Sequence, residues 1–482
     1  MGNNRSRTEK QREGNTGAGG LSPLALWAVA AGAAFQLAVF RQIGTEGGVS
    51  YASPCLAYGV LLLLSAFGVP EAVAGITAAK RRKGRRSEAS ALFWSALVLA
   101  FLAGGVLAAA LWFGGDGIAA YFGRPMEAAV WRVLAPAAWM MVCLGVIRGY
   151  FSGMGLSWLT EVSLVLEQIF GGAASLWLAL SGAEEEIRSG LVYGTDTYAG
   201  VFQAEGAVKG LGAGAALSLA FLILMLVLRR KKMFPAGMGK GRSPLLSAAS
   251  AAGNAIPGLV TVLAAGGSFL LGAVWYGKAD PSGWAEFARC ETAVCLVAAA
   301  VSAPGVWKAS VLPGGRSGLR ARLKEAVRLA LVPAAAGGIL LAVPGQFLYR
   351  GLFGDESASW LLMAFAVSVP LLSLAAVFTA ALFRLKKRVF AAGAAVISLG
   401  IWGLLLRGLL SGAGIGVYSL AAAQGAAYLC FCLLEGAVLQ VMTGGGSRDR
   451  EENVRPVRTS RRPETGRPSE PVSLRGRSRR RR

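Results

Sequence analysis

Histidine does not occur anywhere in the chain. That absence removes imidazole metal ligands and imidazole proton relays together. Acid is scarce as well: 26 Asp and Glu stand against 49 Lys and Arg, for a formal net charge of +23. The six cysteines, Cys55, Cys143, Cys290, Cys295, Cys430 and Cys432, all lie inside apolar runs. They read as small core residues, not as disulfides or a metal set. No GxxxxGK[ST] phosphate loop occurs, which excludes an ATP-driven pump built on that device. No soluble catalytic signature is present either, so neither an enzyme nor a cofactor is expected. A cleavable signal peptide is also missing, since the chain is polar to about Gly20 and no cleavage site follows the first apolar run.

What the sequence has instead is apolar length. Of its 482 residues 54% are hydrophobic, and the mean hydropathy is +0.53. A helix needs roughly 20 apolar residues to cross a bilayer. Such runs fall at about 21–41, 50–79, 89–113, 127–147, 157–181, 205–228, 244–276, 284–308, 325–348, 357–383, 388–409 and 413–441. The fold class expected is therefore an all-α polytopic membrane protein of about twelve spans. Basic residues sit in alternate loops: Lys80 to Arg86, Arg229 to Lys232, Arg316 to Lys324, and Arg384 to Arg388. The other loops hold Glu46, Asp116, Glu184, Glu185, Glu186, Asp196, Asp355 and Glu356. The positive-inside rule then puts both termini in the cytoplasm of a cell with a plasma or inner membrane. This placement also argues against nucleic acid as a partner, because the charge lies between spans and not on one face of a soluble domain.

The loop 229–243 divides the chain into six spans and six. The expected organisation is a polar N-terminus 1–20, a lobe 21–228, a basic linker 229–243, a second lobe 244–441 and a polybasic tail 442–482. Tyr121-Phe122-Gly123 and Leu352-Phe353-Gly354 each follow the third span of their half, a faint sign of a six-helix repeat. The tail is rich in Pro, Ser, Arg and Glu and cannot bury a core. It is either a solvated topology anchor or a segment drawn to anionic lipid.

Two stretches are more specific. One is Phe40-Arg41-Gln42-Ile43-Gly44-Thr45-Glu46-Gly47 with Tyr51, Pro54 and Leu64-Ser65-Ala66-Phe67-Gly68-Val69-Pro70. The other is Arg148-Gly149-Tyr150-Phe151-Ser152-Gly153-Met154 with Thr160 and Leu166-Glu167-Gln168-Ile169. Together they resemble the stage V sporulation protein B and polysaccharide-biosynthesis branch of the MOP (multidrug/oligosaccharidyl-lipid/polysaccharide) flippase superfamily. Ala309-Ser310-Val311-Leu312-Pro313 is a third, weaker likeness. The resemblance implies two six-helix lobes around a cavity that opens to each side in turn. It implies a lipid-linked oligosaccharide as substrate, such as lipid II or a polysaccharide repeat unit on polyprenyl pyrophosphate. Cell-wall synthesis proteins are the partners it implies, and sporulation is a possible context. Departures from the pattern are Ser152, Gly171 and Gly75 where Gln, Arg and a basic residue are usual, with Glu71 added after Pro70.

Ionisable groups inside spans face an interior, pair up or mark a pathway. The substrate-cavity candidates are Arg41, Glu71, Glu167 and Gln168. Arg148, Gly149, Tyr150 and Phe151 are expected to hold a turn or an inner gate, and an Arg148–Glu167 ion pair is an alternative role. Arg132 reads as an outer-interface anchor, Arg289 and Glu291 as near the outer surface, Lys308 as inner, and Arg407 and Glu435 as interfacial. Two other functions stay open. One is a drug or cation antiporter of the MATE type, with Glu71 as its acidic site. The other is a non-transporting scaffold that recruits cell-wall or sporulation partners through the tail.

Overall fold

In a computed structural model of the chain, the described residues are 22–193, 200–234, 244–312, 318–412 and 415–444. The N-terminus, Asp196, most of the basic linker, Pro313 and nearly all of the tail lie outside them, and so do the expectations that rest on those segments. All secondary structure among the described residues is helical. In order it runs α1 Pro23–Leu63, a π-turn Leu64–Gly68, α2 Val69–Arg82, α3 Arg86–Tyr121, a 3-10 turn Pro125–Glu127 and α4 Ala128–Gly153. Then come α5 Ser157–Tyr193, α6 Val201–Leu228, α7 Arg230–Met233, α8 Pro244–Gly272 with a π-turn Ala273–Gly277, and α9 Pro281–Ser310. The series ends with α10 Leu319–Ala342, α11 Gly345–Phe353, α12 Ser359–Phe365, α13 Ser368–Arg384, α14 Arg388–Gly412 and α15 Tyr418–Gly444.

Ten continuous helical stretches are long and apolar enough to cross a membrane, and the bent pair α12–α13 makes eleven. One of the ten, Pro23–Arg82, has 60 residues. At 1.5 Å per residue it would reach about 90 Å, some three bilayer cores. It cannot be one crossing. Gly44, with φ 66° and ψ −157°, breaks it, and that backbone region is essentially reserved for glycine. Counting the arms on either side of Gly44 separately adds one, to twelve candidate crossings among the described residues of a multi-pass membrane protein.

The second arm contains another irregularity. Pro70 has no N–H to offer the Ala66 carbonyl one turn earlier. The chain relaxes there into the π-turn Leu64–Gly68. Pro370 frees the Ala366 carbonyl in the same way, and the chain bends by 41° between α12 and α13. The Val369 amide recovers that carbonyl at 3.1 Å. The single run expected over 325–348 is likewise two pieces. Pro344 ends the first and leads into α11.

Helices meet closely where glycine removes the side chain. A Cβ at Gly149 would lie 2.6 Å from the Pro70 carbonyl oxygen, and one at Gly153 would lie 2.5 Å from Thr77 Cβ. With Gly145 these form a stripe at four-residue spacing that seats α4 on α2. The outward faces are apolar in turn: Phe113 and Phe347 are each 82% exposed. On a water-soluble protein such a surface would aggregate; against lipid it is the solvated side. The two repeat-like tripeptides end alike, with Phe122 and Phe353 buried and Gly123 and Gly354 both left-handed, at φ 73° and 83°.

Basic loops and their opposites fall at opposite ends of the bundle. At the basic end Arg81 donates to the Met154 carbonyl and Arg384 Nε to the Leu312 carbonyl at 2.9 Å. At the other end Asp280 caps α9, accepting from the Gly283 amide at 2.9 Å and from Ser282 and Tyr276, each at 2.8 Å. Burial pushes its carboxyl up, but those three hydrogen bonds outweigh it and hold the group below the usual carboxylate range.

The glycine stripe gives a direct test. Gly149→Val should drive α4 off α2 and destabilise the protein by about 1–3 kcal/mol. Gly105, with no atom within 4 Å of a Cβ, is the control. Melting of the detergent-solubilised protein, followed by size-exclusion recovery, should fall for Gly149→Val and stay level for Gly105→Val.

Candidate functional site: a cavity open at the basic end

A cavity of about 460 Å³ lies between the two six-helix lobes in the half of the bundle that ends in the basic loops. Its N-lobe wall comes from the start of α1, the π-turn, α2 and the α4–α5 turn; its C-lobe wall comes from α8, α13, α14 and α15. The interior is largely apolar, with Phe67, Leu372, Trp402 and Phe431, relieved by Thr261, Ser268, Thr379, Ser398, Gln424 and Tyr428. The mouth carries Arg82, Arg384, Lys386 and Arg388 against Glu71 and Glu161. Such a shape suits an amphiphile or an organic ion with an apolar body.

Glu71 is placed there by the π-turn and Pro70, at the start of α2. Its Oε1 lies 3.3 Å from Arg388 Nη2 at the start of α14, so this pair links the lobes across the cavity. The same nitrogen is 3.4 Å from the Glu71 carbonyl.

The other candidate residues lie elsewhere. Glu167 and Gln168 do not line the cavity; they are buried inside the N-lobe. Glu167 pairs with Arg148 Nη2, and both side chains are wholly buried. Arg148 also donates from Nε to Ser163 at 3.0 Å, from Nη1 to Ser65 at 3.1 Å and from Nη2 to Ser218 at 3.0 Å. Tyr58 donates to Glu167 Oε1 at 3.2 Å, and the Gln168 amide lies 3.4 Å from that oxygen. Arg148 therefore forms no gate. It bolts the π-turn, α4, α5 and α6 into one body. Gly149 packs on Pro70. Tyr150 stacks 4.4 Å from Phe93 and donates to the Met233 carbonyl at 3.0 Å, while Phe151 is fully buried. The whole motif is lobe packing.

Arg41 is also absent from the cavity lining. The first arm of α1 carries it to the opposite end, where it is exposed and donates to the Gly351 carbonyl at 2.9 Å. It shares that end with two further contacts between lobes. Arg289 Nη2 donates at 2.6 Å to the Gly44 carbonyl, which the glycine break has released from the helix. Trp284 Nε1 donates to Ser53 at 3.0 Å. Arg289 is only 2% exposed, lies 5.4 Å from the Phe353 ring and is 3.5 Å from Asp355. Placed by the sequence near the outer surface of its span, it is the buried centre of the closed end. Gly48 keeps the room for it: a Cβ there would stand 3.0 Å from its Nη2.

Two carboxyls read as surface or interface groups are buried as well. Glu291 accepts from Tyr428 at 2.7 Å and from Cys295 at 3.4 Å, and its second oxygen has no hydrogen-bond partner among the described residues. Glu435 accepts from Thr379 at 2.9 and 3.0 Å. Both face inward, toward Tyr428 of α15 and Thr379 of α13 respectively. Neither has an ion-pair partner among the described residues. Tyr428 and Thr379 line the cavity, so each carboxyl sits one hydroxyl behind its wall. Arg132 pairs with Asp116 and Lys308 with Glu325, both partly exposed; Arg407 is exposed.

Sequence reasoning missed Arg388, Tyr428 and Thr379. Arg388 follows Lys386 and Lys387 and so counted only as loop charge; Tyr428 and Thr379 look like ordinary span residues.

No protein-family model matches the sequence, and no curated protein does. Solved structures do match by fold. An inward-facing multidrug resistance MATE family transporter of the MOP superfamily superposes with a TM-score of 0.66 at 13% identity, over 88% of this chain and 96% of that one. An outward-facing MATE family transporter of the same superfamily gives 0.58 at 15%, over 90% and 97%. A MOP superfamily transporter from Pyrococcus furiosus gives 0.56 at 13%, over 89% and 98%. The fold is that of the MATE transporters of the MOP superfamily.

If Arg289 holds the closed end, Arg289→Ala should open it. A Ser53→Cys reporter in that background should react with a membrane-impermeant maleimide several times faster than in the otherwise unchanged chain. Equal rates would show that the end stays closed without the guanidinium.

Proposed function

We propose that this protein is a membrane transporter that works by alternating access and moves a lipid-linked glycan precursor on polyprenyl pyrophosphate. The observation that carries the reading is the cavity, open and basic at one end, sealed between the same two lobes at the other. An interlobe cavity closed on one side is one half of an alternating-access cycle, and the inward-facing neighbour superposes with the higher TM-score of the two conformations. Four bases against two acids at the mouth favour an anionic head group. The apolar depth suits the part of the molecule that leaves water last. A binding pocket of reverse polarity has been taken to suggest a different function for the Pyrococcus furiosus neighbour, and the basic mouth here supports the same departure from cation export. By the positive-inside rule the basic end and both termini face the cytoplasm of a bacterial cell, and the cavity faces the side where such precursors are assembled. No bond is made or broken, so no enzyme activity is included.

The test is a vesicle assay. The full chain, reconstituted with a fluorescent polyprenyl-pyrophosphate oligosaccharide, should make inner-leaflet probe accessible to an external quencher at a rate proportional to protein. Empty vesicles should show only background. A rate equal to background would remove the substrate class.

A second reading has its own observation. Glu291 and Glu435 are buried carboxyls with no cationic partner among the described residues, each behind a hydroxyl of the cavity wall. A lone charge in such a place is costly unless a proton or cation accompanies it. This supports a cation-coupled antiporter of the MATE type, with the acidic site in the C-lobe and not at Glu71. Under that reading Glu291→Gln should abolish uptake of a cationic dye driven by a proton or sodium gradient. Under the flippase reading the same substitution should leave dye distribution unchanged.

A further inference from the structure

We propose that Glu71 is an internal stand-in for the substrate's anionic group, held by Arg388 until a polyprenyl pyrophosphate replaces it. The inference deepens the flippase reading and rests on it.

Arg388–Glu71 is the only ion pair among the described residues that joins the N-lobe to the C-lobe. It differs from the Arg148–Glu167 pair in ways that suit exchange. Arg148 is fully buried and spends all three nitrogens on four side chains. Arg388 retains 20% exposure and Glu71 17%, both on the cavity wall. Their contact uses a single nitrogen, Nη2, at 3.3 Å to the carboxylate and 3.4 Å to the carbonyl. A guanidinium is a planar fork that matches two phosphate oxygens at once. The one-nitrogen contact with Glu71 leaves that match unused, so a phosphate gains more from Arg388 than Glu71 does. The guanidinium is held in place for it, 5.8 Å from the Phe383 ring. Arg82, Arg384 and Lys386 line the same mouth and bring further positive charge to a second phosphate.

Space is provided too. Gly75 stands one turn after Glu71 on the same face of α2, and a Cβ there would lie 3.7 Å from Arg388 Nη2. Alanine would fit; a longer side chain would fill the room beside the guanidinium. A carboxylate that occupies the arginine when the cavity is empty has two effects. It gives the partly buried guanidinium a counter-charge, and it sets a threshold that weak anions do not pass. Specificity then comes from competition with a built-in rival.

The experiment measures binding of a fluorescent polyprenyl pyrophosphate to the purified full chain in nanodiscs, alongside melting temperature. Glu71→Gln should bind the probe about fivefold tighter or more while melting lower, because the rival is gone and the lobe-to-lobe contact is weakened. A purely structural pair would lower both quantities. Arg388→Gln should lose most of the binding. Gly75→Leu should lose binding with its melting temperature unchanged, which separates blocked space from misfolding. Weaker binding by Glu71→Gln, or unchanged binding by Arg388→Gln, overturns the proposal and leaves the flippase reading standing. No binding by the unsubstituted chain overturns both. Inorganic pyrophosphate that competes as well as the lipid would assign the site to a free anion and overturn the lipid-linked part.

Discussion

Within hydrocarbon no water compensates a charge or a freed carbonyl, so each must find its partner inside the bundle. The N-lobe meets that constraint at Arg148. Its guanidinium reaches the π-turn, α5 and α6 from α4, and the carboxylate of Glu167 neutralises it. Removing one partner of a wholly buried pair leaves an isolated charge, at a cost of about 3–5 kcal/mol. The four elements are therefore committed to one arrangement. That commitment favours a lobe that moves as one body, as the proposed alternating access requires.

The C-lobe meets the same constraint differently. Among the described residues, Glu291 and Glu435 receive hydrogen bonds only from neutral groups, Tyr428, Cys295 and Thr379. The two lobes share a helix plan, down to the left-handed glycines that follow Phe122 and Phe353, but not an electrostatic one. One lobe neutralises its buried acid with an arginine. The other places its acids a single hydroxyl from the cavity, where their neutralisation depends on what the cavity and its surroundings supply.

Much of the architecture was legible because the bilayer imposes it. Span length and the alternation of basic loops follow from length and charge alone. The helix breaks were half legible. Pro70 coincides with one irregularity and Pro370 with another, but α4, α8 and α9 run on through Pro136, Pro257 and Pro304, so proline alone does not locate a break. Gly44 is one glycine among 66 and nothing local in the sequence singles out its backbone. The site was less readable for a physical reason. A charge at the end of an apolar run has the same sequence signature whether it points to water, to lipid headgroups or across an interface. Arg41, Arg289 and Arg388 all have that signature. The first is an exposed contact, the second a buried one, and the third lines the cavity. Glu167 and Gln168 carry a motif likeness, yet α5 turns them toward α4 and the first arm. Glu71 faces the cavity because the π-turn shifts the register of everything after it.

Under the proposed alternating-access reading, the closed end must hold and still open. Besides the packing of α1 on α9 and the Lys278 ammonium 4.4 Å from the Tyr121 ring, the lobes are joined there by three single hydrogen bonds, Arg41 to Gly351, Arg289 to Gly44 and Trp284 to Ser53. Each contributes about 1 kcal/mol, somewhat more where the donor is charged. Their sum is a few kcal/mol, the scale on which two conformations of one protein interconvert. The acceptor at the centre is a carbonyl that exists as a free group only because Gly44 interrupts its helix, so the chain irregularity and the latch are one feature. Arg289 has an Nε without a partner among the described residues, and water would satisfy it once the lobes part. In the proposed cycle, part of the latch's loss is thus returned by hydration.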